Sequence, residues 1–223
     1  MKTLKTLCLS VVMLSSIIKA AAQKTVTEGT IVYSIAIQTD NNDPKAIGNL
    51  NGATTTIYLK GPLSRTDMSS TLGTESTILD SKTGGAIILK EYSGQKLMIT
   101  LTKDNWIEKN KRFDGVIFTE TGETKTIAGY NCKKTIAKLS DGSSSFAVYY
   151  TPEIVTANKD YNVTFKNLPG LPVEYEYITG KTKYTYTLSK IGFEALPASK
   201  FDAPKTGYRV MTYEENKQIK KGE

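Results

Sequence analysis

The sequence predicts a mainly β protein that is built on an antiparallel sheet and has only a few short helices. Three observations lead to this fold class. Apolar and polar residues alternate along much of the chain from Thr30 to Leu188, as they do in half-buried strands. Glycine-containing pairs separate these stretches as tight turns do. Signals for helix starts and stops are few.

The alternating segments each have one apolar face to bury. Successive side chains of a strand point to opposite sides, so residues two apart lie on the same side. The clearest sets are Ile31, Tyr33, Ile35 and Ile37; Leu97, Ile99 and Leu101; Phe146, Val148 and Tyr150; and Tyr184, Tyr186 and Leu188.

Short turns connect the strands into hairpins. Two-residue turns are predicted at Ser93-Gly94, Asp141-Gly142 and Thr179-Gly180. Further strands are predicted at residues 54–60, 63–70 and 74–81, and on both sides of Thr121-Gly122. About ten strands cannot remain a flat open sheet, so we expect the sheet to curl, close or split into layers.

Helices are predicted at two places. Residues 104–112 form a short helix after a strand, and Thr212 with Glu215 makes a capping box for a helix near the end of the chain. Acidic residues come first and lysines last in that second helix, which matches the helix dipole. Pro152 follows Thr151 as a first helical residue follows its N-cap, which indicates a third helix start.

The N-terminus has the features of a secretory signal. Lys2 and Lys5 precede an apolar run that is too short for a membrane span, and small residues follow before Gln23. We therefore expect residues 1–22 to be a cleaved signal peptide and residues 23–223 to form a single domain. The protein would then be periplasmic or secreted, and peripheral to the membrane without spanning it. The one long polar loop is predicted at residues 40–52.

The charge of the chain argues against nucleic-acid binding. Removing the three lysines of the signal from a net charge of +7 leaves +4, and the basic residues are scattered along the chain. A surface that follows phosphates would concentrate them on one element. We expect no nucleic-acid partner.

The absence of histidine removes several classes of chemistry. The chain contains no histidine, which excludes Ser-His-Asp and Cys-His catalysis and imidazole metal ligands. Cys132 is the one cysteine after the signal, so a cysteine-rich zinc site and an intramolecular disulfide are excluded. We expect Cys132 to be buried and inert; the alternatives are pairing with another chain or a reactive role. No metal, no cofactor and no enzymatic activity are expected.

Two patterns that resemble catalytic motifs have simpler explanations. Ser93 and Lys96 match S-x-x-K, but Ser93 lies in a predicted turn, whereas that chemistry needs a serine at a helix start. Glu174 and Glu176 point to one side of a strand, opposite Tyr175, which is the usual pattern of a solvated face. An enzyme that uses carboxylates alone remains the third hypothesis.

Apolar residues outside the regular strands are the candidate ligand-binding residues. Trp106 and Phe113 lie in or beside the first helix, while Leu168 and Leu171 belong to a loop stiffened by prolines, in which Gly170 permits a turn. These residues either plug an open end of the curved sheet or line a cavity for acyl chains. The two roles are compatible.

Four segments carry a resemblance to a known family. The segments IAGYNCKK, YYTPEI, NLPGLPVEYEY and FDAPKTGYRVMT, in this order, resemble the GLPGLI-type and related uncharacterised exported proteins of Bacteroidetes. The motif here reads LPGLP, without the leading glycine. That group is in turn similar to the periplasmic lipoprotein carriers of the LolA and LolB type. The resemblance implies a strongly curved antiparallel sheet that forms an incomplete barrel around an apolar cavity, with a few short helices covering its concave face as a lid.

Two functions from different classes follow. The first is a non-enzymatic periplasmic binding or carrier protein that shelters a lipid or a lipoprotein acyl chain. The second is a cell-envelope interaction or assembly module that docks a protein partner on a sheet edge or on the loop from Leu168 to Pro172.

Overall fold

The structure is a computed structural model that describes residues 23–39 and 52–221. The predicted signal peptide and nearly all of the predicted loop at residues 40–52 lie outside the described residues. The division into a signal and one domain therefore stays a prediction.

Strands make up most of the described chain. In chain order they are β1 (Lys24–Val26), β2 (Glu28–Thr39), β3 (Thr54–Lys60), β4 (Leu63–Ser70), β5 (Gly73–Asp80), β6 (Ala86–Tyr92), β7 (Gln95–Leu101), β8 (Ile117–Ile127), β9 (Tyr130–Lys138), β10 (Ser145–Thr151), β11 (Ile154–Thr156), β12 (Leu171–Thr179), β13 (Thr182–Gly192) and β14 (Arg209–Thr212). The α-helices are α1 (Lys103–Asn110) and α2 (Tyr213–Lys221), and 3-10 turns cover Lys111–Phe113, Val163–Phe165 and Ala198–Phe201.

Twelve of the strands form one sheet in the order β14-β7-β6-β5-β4-β3-β2-β13-β12-β10-β9-β8. All neighbours are antiparallel except β7 and β14, and β1 and β11 form a separate parallel pair. The two outer strands, β14 and β8, do not pair with each other, so the sheet is curved but not closed into a barrel. The predicted fold class is confirmed.

The alternation in the sequence assigns the two faces of the sheet. Ile31, Tyr33 and Ile35 are buried on one face, and the strand register places Leu188 opposite Tyr33 on the same face. This face is concave, because strands far apart in the sheet order share one cavity on it. Both α1, through Trp106, and the turn that contains Phe165 pack on this side.

The opposite face is covered on one half by the chain between β13 and β14. Phe201, Leu196 and Tyr208 pack there against Ile78 and Leu89. This layer shields the convex side of β3–β7, so the sheet has a core on both sides in this half.

The hairpin turns match the sequence to different degrees. Ser93 and Gly94 form the predicted two-residue turn, with φ values of 50° and 77°. The turn predicted at Thr179-Gly180 is formed by Gly180-Lys181, one residue later, because Thr179 still pairs with Thr182.

The predicted tight turn at Asp141-Gly142 is wrong in length. Strands β9 and β10 are joined by residues 139–144, and Leu139 and Ser144 form the closing backbone bond of 3.0 Å. Within the loop, the Asp141 carboxylate accepts a bond of 2.8 Å from the Ser143 N–H. This local bond gives the chain a wider turn than a two-residue hairpin would have.

Thr121-Gly122 does not separate two strands. Both sides belong to β8, and Glu120 pairs with Thr135 while Thr124 pairs with Lys133. Residues 121–123 therefore form a bulge opposite Lys134, which accounts for the glycine inside a strand.

Two of the three predicted helix starts are confirmed. Thr102 caps α1, and the Thr212 hydroxyl accepts a bond from the Glu215 N–H at the start of α2. The helix start at Pro152 is wrong. The Thr151 hydroxyl does accept a bond from the Glu153 N–H, but the chain then enters β11, which pairs with β1.

Residues 102–116, which we call the strap, connect the two ends of the sheet. They leave β7, next to one outer strand, and enter β8, which is the other outer strand. Trp106 packs in the cluster of Leu79, Ile88 and Ile99 on one half, while Phe113 packs against the cluster of β9 and β10 on the other half. The strap thus spans the open side of the curved sheet.

Candidate functional site

A cavity of about 320 Å³ lies on the concave face. One wall comes from β3, β4 and β5, and the other from β10, β12 and β13, which are not neighbours of β4 and β5 in the sheet. The curvature of the sheet brings these two walls together. Phe113 of the strap and Phe165 border the same space.

One wall of the cavity is aromatic. Tyr175 stacks on Tyr186 with ring centres 4.7 Å apart and an interplanar angle of 6°, and Phe165 meets Tyr175 edge-on at 4.8 Å. Tyr33 also contacts Tyr175, at 5.7 Å. Burial raises the pKa values of Tyr33 and Tyr175 well above the usual value, because the phenolate cannot be hydrated there. Tyr33 and Tyr175 are therefore uncharged at physiological pH.

The facing wall carries threonines and one methionine. Thr66 on β4 pairs directly with Thr77 on β5, and Met68 pairs with Thr55 and with Glu75. The Glu75 carboxylate borders the cavity and forms an ion pair of 3.0 Å with Lys90. This wall therefore offers methyl groups, hydroxyls and one neutralised charge.

A second cavity of about 290 Å³ adjoins the first. Met68, Tyr177 and Tyr186 line both cavities. The second cavity continues along β2 past Ile35 and Ile37. We refer to the two adjoining cavities together as the groove.

A third cavity, of about 450 Å³, lies between the strap and residues 160–166. Its volume is larger than that of either part of the groove, but four charged residues border it: Lys103, Asp114, Asp160 and Lys166. Asp160 pairs with Lys166 at 2.6 Å and raises the pKa of that lysine. Fewer charged residues line the groove, so the groove is the stronger candidate site for an apolar ligand.

The structure does not bring the four predicted ligand-binding residues together. Phe113 borders the groove, and Trp106 borders the third cavity. Leu168 and Leu171 are only 3% and 1% exposed and belong to two separate core clusters. Their placement matches the role of a plug, and a role for the four residues in ligand binding stays a prediction.

The groove is also lined by four residues that the sequence analysis did not select as ligand-binding candidates, namely Met68, Tyr175, Tyr177 and Tyr186. The alternation of tyrosines in β12 and β13 marks an apolar face. It does not distinguish a face covered by other side chains from a face that borders an empty groove.

The two glutamates and the cysteine that the sequence analysis considered lie in environments typical of structural residues. Glu174 forms an ion pair with Lys125 and Glu176 with Lys183, on the face opposite Tyr175. Cys132 is 1% exposed, and burial raises the pKa of its thiol. In the part of the chain that the structure describes, no three side chains of His, Cys, Asp or Glu are grouped to hold a metal ion, and no helix combines the length and apolarity needed to cross a bilayer.

Solved structures that match the chain include those of PNGF-II in two crystal forms, C2 and P21. TM-scores are 0.47 and 0.48 with 15% sequence identity, over 86% of this chain and 32% and 33% of the PNGF-II chain. The present chain thus spans about a third of the length of PNGF-II. The LolA superfamily protein NE2245 from Nitrosomonas europaea matches with a TM-score of 0.35 and 8% identity, over 80% of this chain and 91% of that one.

No curated protein sequence matches the chain significantly. One sequence family does match, the domain of unknown function DUF4412, over residues 45–162. These residues cover more than half of the chain. They run from the β2–β3 connection, through β3 to β11 and the whole strap, to the start of the turn beside the groove. The chain therefore belongs to the DUF4412 family.

Proposed function

We propose that the protein is a non-enzymatic carrier that binds the apolar chain of a lipid or of a lipoprotein in the groove. The observation that carries this proposal is that the apolar side chains of the concave face do not fill the space between the two walls. The predicted signal would export the protein to the periplasm, where lipids must cross water between membranes.

The lining of the groove suits an apolar chain. Aromatic rings, Met68 and isoleucines supply apolar surface, and burial of such surface contributes about 25 cal/mol per Å² to binding. The volume of about 320 Å³ of the larger part lies within the usual range of small-ligand pockets, and a folded protein partner could not enter it. The Glu75–Lys90 ion pair and the threonine hydroxyls add polar contacts beside the chain.

The test is to analyse the lipid in protein purified from its native host. We expect co-purifying lipid by mass spectrometry, and binding of the uncharged fluorescent probe N-phenyl-naphthylamine to protein freed of lipid. Thr66→Trp places an indole in the larger cavity and should remove both signals. Thr119→Trp places the same group on an exposed position of β8 and should change neither. Absence of lipid and of probe binding in the unaltered protein would overturn the proposal.

The second candidate function is docking of a protein partner on the outer strand β8. This strand has eleven residues, and Ile117 at its start is 62% exposed. The bulge at residues 121–123 and the charged side chains of β8 are features that proteins use to prevent strand pairing, so this function has weaker support. Loss of partner capture in Ile117→Lys, with lipid binding retained, would favour it over the carrier function.

A further inference from the structure

The two cavities of the groove meet at one flexible side chain. Met68 lies on β4 between Thr55 of β3 and Glu75 of β5, and it faces Tyr177 and Tyr186 on the other wall. It is 37% exposed although it points to the concave face. A methionine in this position can open or close the passage between the two cavities by changing rotamer, because its side chain is unbranched and has three rotatable bonds.

The cavities extend from Met68 in two directions. The larger cavity runs toward Phe165 and Phe113 beneath the strap, and the smaller one runs toward Ile37 and Tyr184. The combined length of the two cavities can be measured along β2. Ile57 of the larger cavity pairs with Ile31, and Ile37 borders the far part of the smaller cavity. Six residues of strand span roughly 20 Å. A compact ligand would occupy one cavity only, whereas an extended chain can occupy both.

We propose that the ligand is a single unbranched chain that passes Met68 and occupies both cavities, and that the size of the side chain at position 68 controls passage from one cavity into the other. This inference rests on the proposed carrier function and specifies its ligand. The chain would contact Tyr186 and Tyr177 on one side and the Met68 thioether on the other. Beyond Met68, each further methylene is buried only if the passage is open.

The experiment measures displacement of N-phenyl-naphthylamine by straight-chain alcohols from octanol to hexadecanol. For the unaltered protein we expect the affinity to rise about fourfold for each added methylene, up to chains that fill both cavities. In Met68→Trp the rise should stop at a shorter chain, because the indole closes the passage. In Met68→Ala it should extend at least as far as in the unaltered protein.

Leu72→Trp is the matched control. Leu72 is an exposed residue of the β4–β5 turn that borders neither cavity, so an added indole there should leave the chain-length profile unchanged. Circular dichroism checks that all variants keep the sheet. Met68→Phe provides a second, smaller obstruction, and we expect it to stop the rise between the lengths found for the unaltered protein and for Met68→Trp.

The outcomes separate this inference from the proposed function. Failure of every alcohol to displace the probe would overturn both. Normal displacement with the same limiting chain length in the unaltered protein, Met68→Phe and Met68→Trp would overturn the role of Met68 and leave the carrier function standing. A limit reached already at short chains in the unaltered protein would also overturn it, since the ligand would then occupy one cavity only.

Discussion

Gly170 has a different role from the one that its sequence context suggests. Its position between two prolines predicts a turn, yet Gly170 is not among the glycines with a positive φ. A Cβ atom at this position would lie 2.1 Å from the carbonyl oxygen of Thr151 and 2.8 Å from the Tyr150 ring. Glycine is required here for space, because the backbone before β12 packs directly on the end of β10.

We predict that Gly170→Ala destabilises the protein by about 1–3 kcal/mol, the usual range for overpacking a tight site. The clash involves backbone atoms of Thr151, which cannot rotate away as a side chain would. Urea denaturation followed by circular dichroism measures the change. Gly85→Ala is the control, because its added Cβ would lie 3.6 Å from the nearest atom and its φ is not positive. Equal stability of the two variants would contradict this explanation.

Leu168 and Leu171 show why single residues of the candidate site were hard to assign. Their apolar, proline-bounded loop fits a plug and a ligand wall equally well, and the choice depends on which strands lie above it. In the folded chain Leu171 contacts the cluster of Ile31 and Tyr33, while Leu168 contacts that of Val148. Neither packing partner is close in sequence, so no local signal could have decided between the two roles.

At the scale of elements, helix α1 of the strap is held by hydrogen bonds at its N-terminus and by polar contacts with α2. Helix α1 has no fully buried residue, and Trp106 is its one contact with a core cluster among the described residues. Its N-terminus is held by a reciprocal pair: the Thr102 hydroxyl accepts a bond from the Asn105 N–H, and the Asn105 side chain accepts one from the Thr102 N–H. Further polar contacts link α1 to α2, namely Asn105 to Glu214 and Lys217 to Glu108.

We predict that Thr102→Ala loosens α1 without loosening the sheet. Loss of an N-cap costs about 1 kcal/mol, which corresponds to about fivefold faster local opening. Hydrogen–deuterium exchange should therefore accelerate at residues 103–110 and stay unchanged in β2 and β13. Thr212→Ala removes the matching cap of α2 and should accelerate exchange at residues 213–221 instead. Faster exchange throughout the sheet in Thr102→Ala would show that the strap supports the whole fold.

At the scale of the molecule, the buried tyrosines make stability sensitive to alkali. Burial raises the pKa values of Tyr33, Tyr161 and Tyr175, and burial together with the Glu91 carboxylate raises that of Tyr208 to about 12. The unfolded chain loses these protons near pH 10, while the folded chain retains them. Their contribution to stability is therefore complete below pH 10 and is lost as the pH rises toward the folded pKa values.

We predict that tyrosine ionisation occurs in two phases. Phenolate absorbance should rise first for the accessible tyrosines and then, at higher pH, together with loss of the β signal in circular dichroism. The same titration in concentrated urea should show one phase near pH 10, since burial is then absent. A single phase in native buffer with the sheet intact would contradict the burial of these rings.

The fold class was predictable because its signals are local. Alternation along β2 and β13, the left-handed residues at Ser93 and Gly94, and the cap at Thr212 act within a few residues of one another. The less regular turns were harder, as residues 139–144 show, because a side-chain bond from Asp141 competes with the tight hairpin.

The sequence by itself determined most of the long strands, the apolar side of each of them and where two helices begin, since these depend on backbone geometry and near neighbours. Only the tertiary structure decided that the strap joins the two ends of the sheet, and that Met68 and Tyr186 border a groove while Leu171 fills the core. These outcomes depend on the curvature of the sheet and on pairings such as β2 with β13. They are set by the packing of distant segments against one another, which a local pattern does not specify.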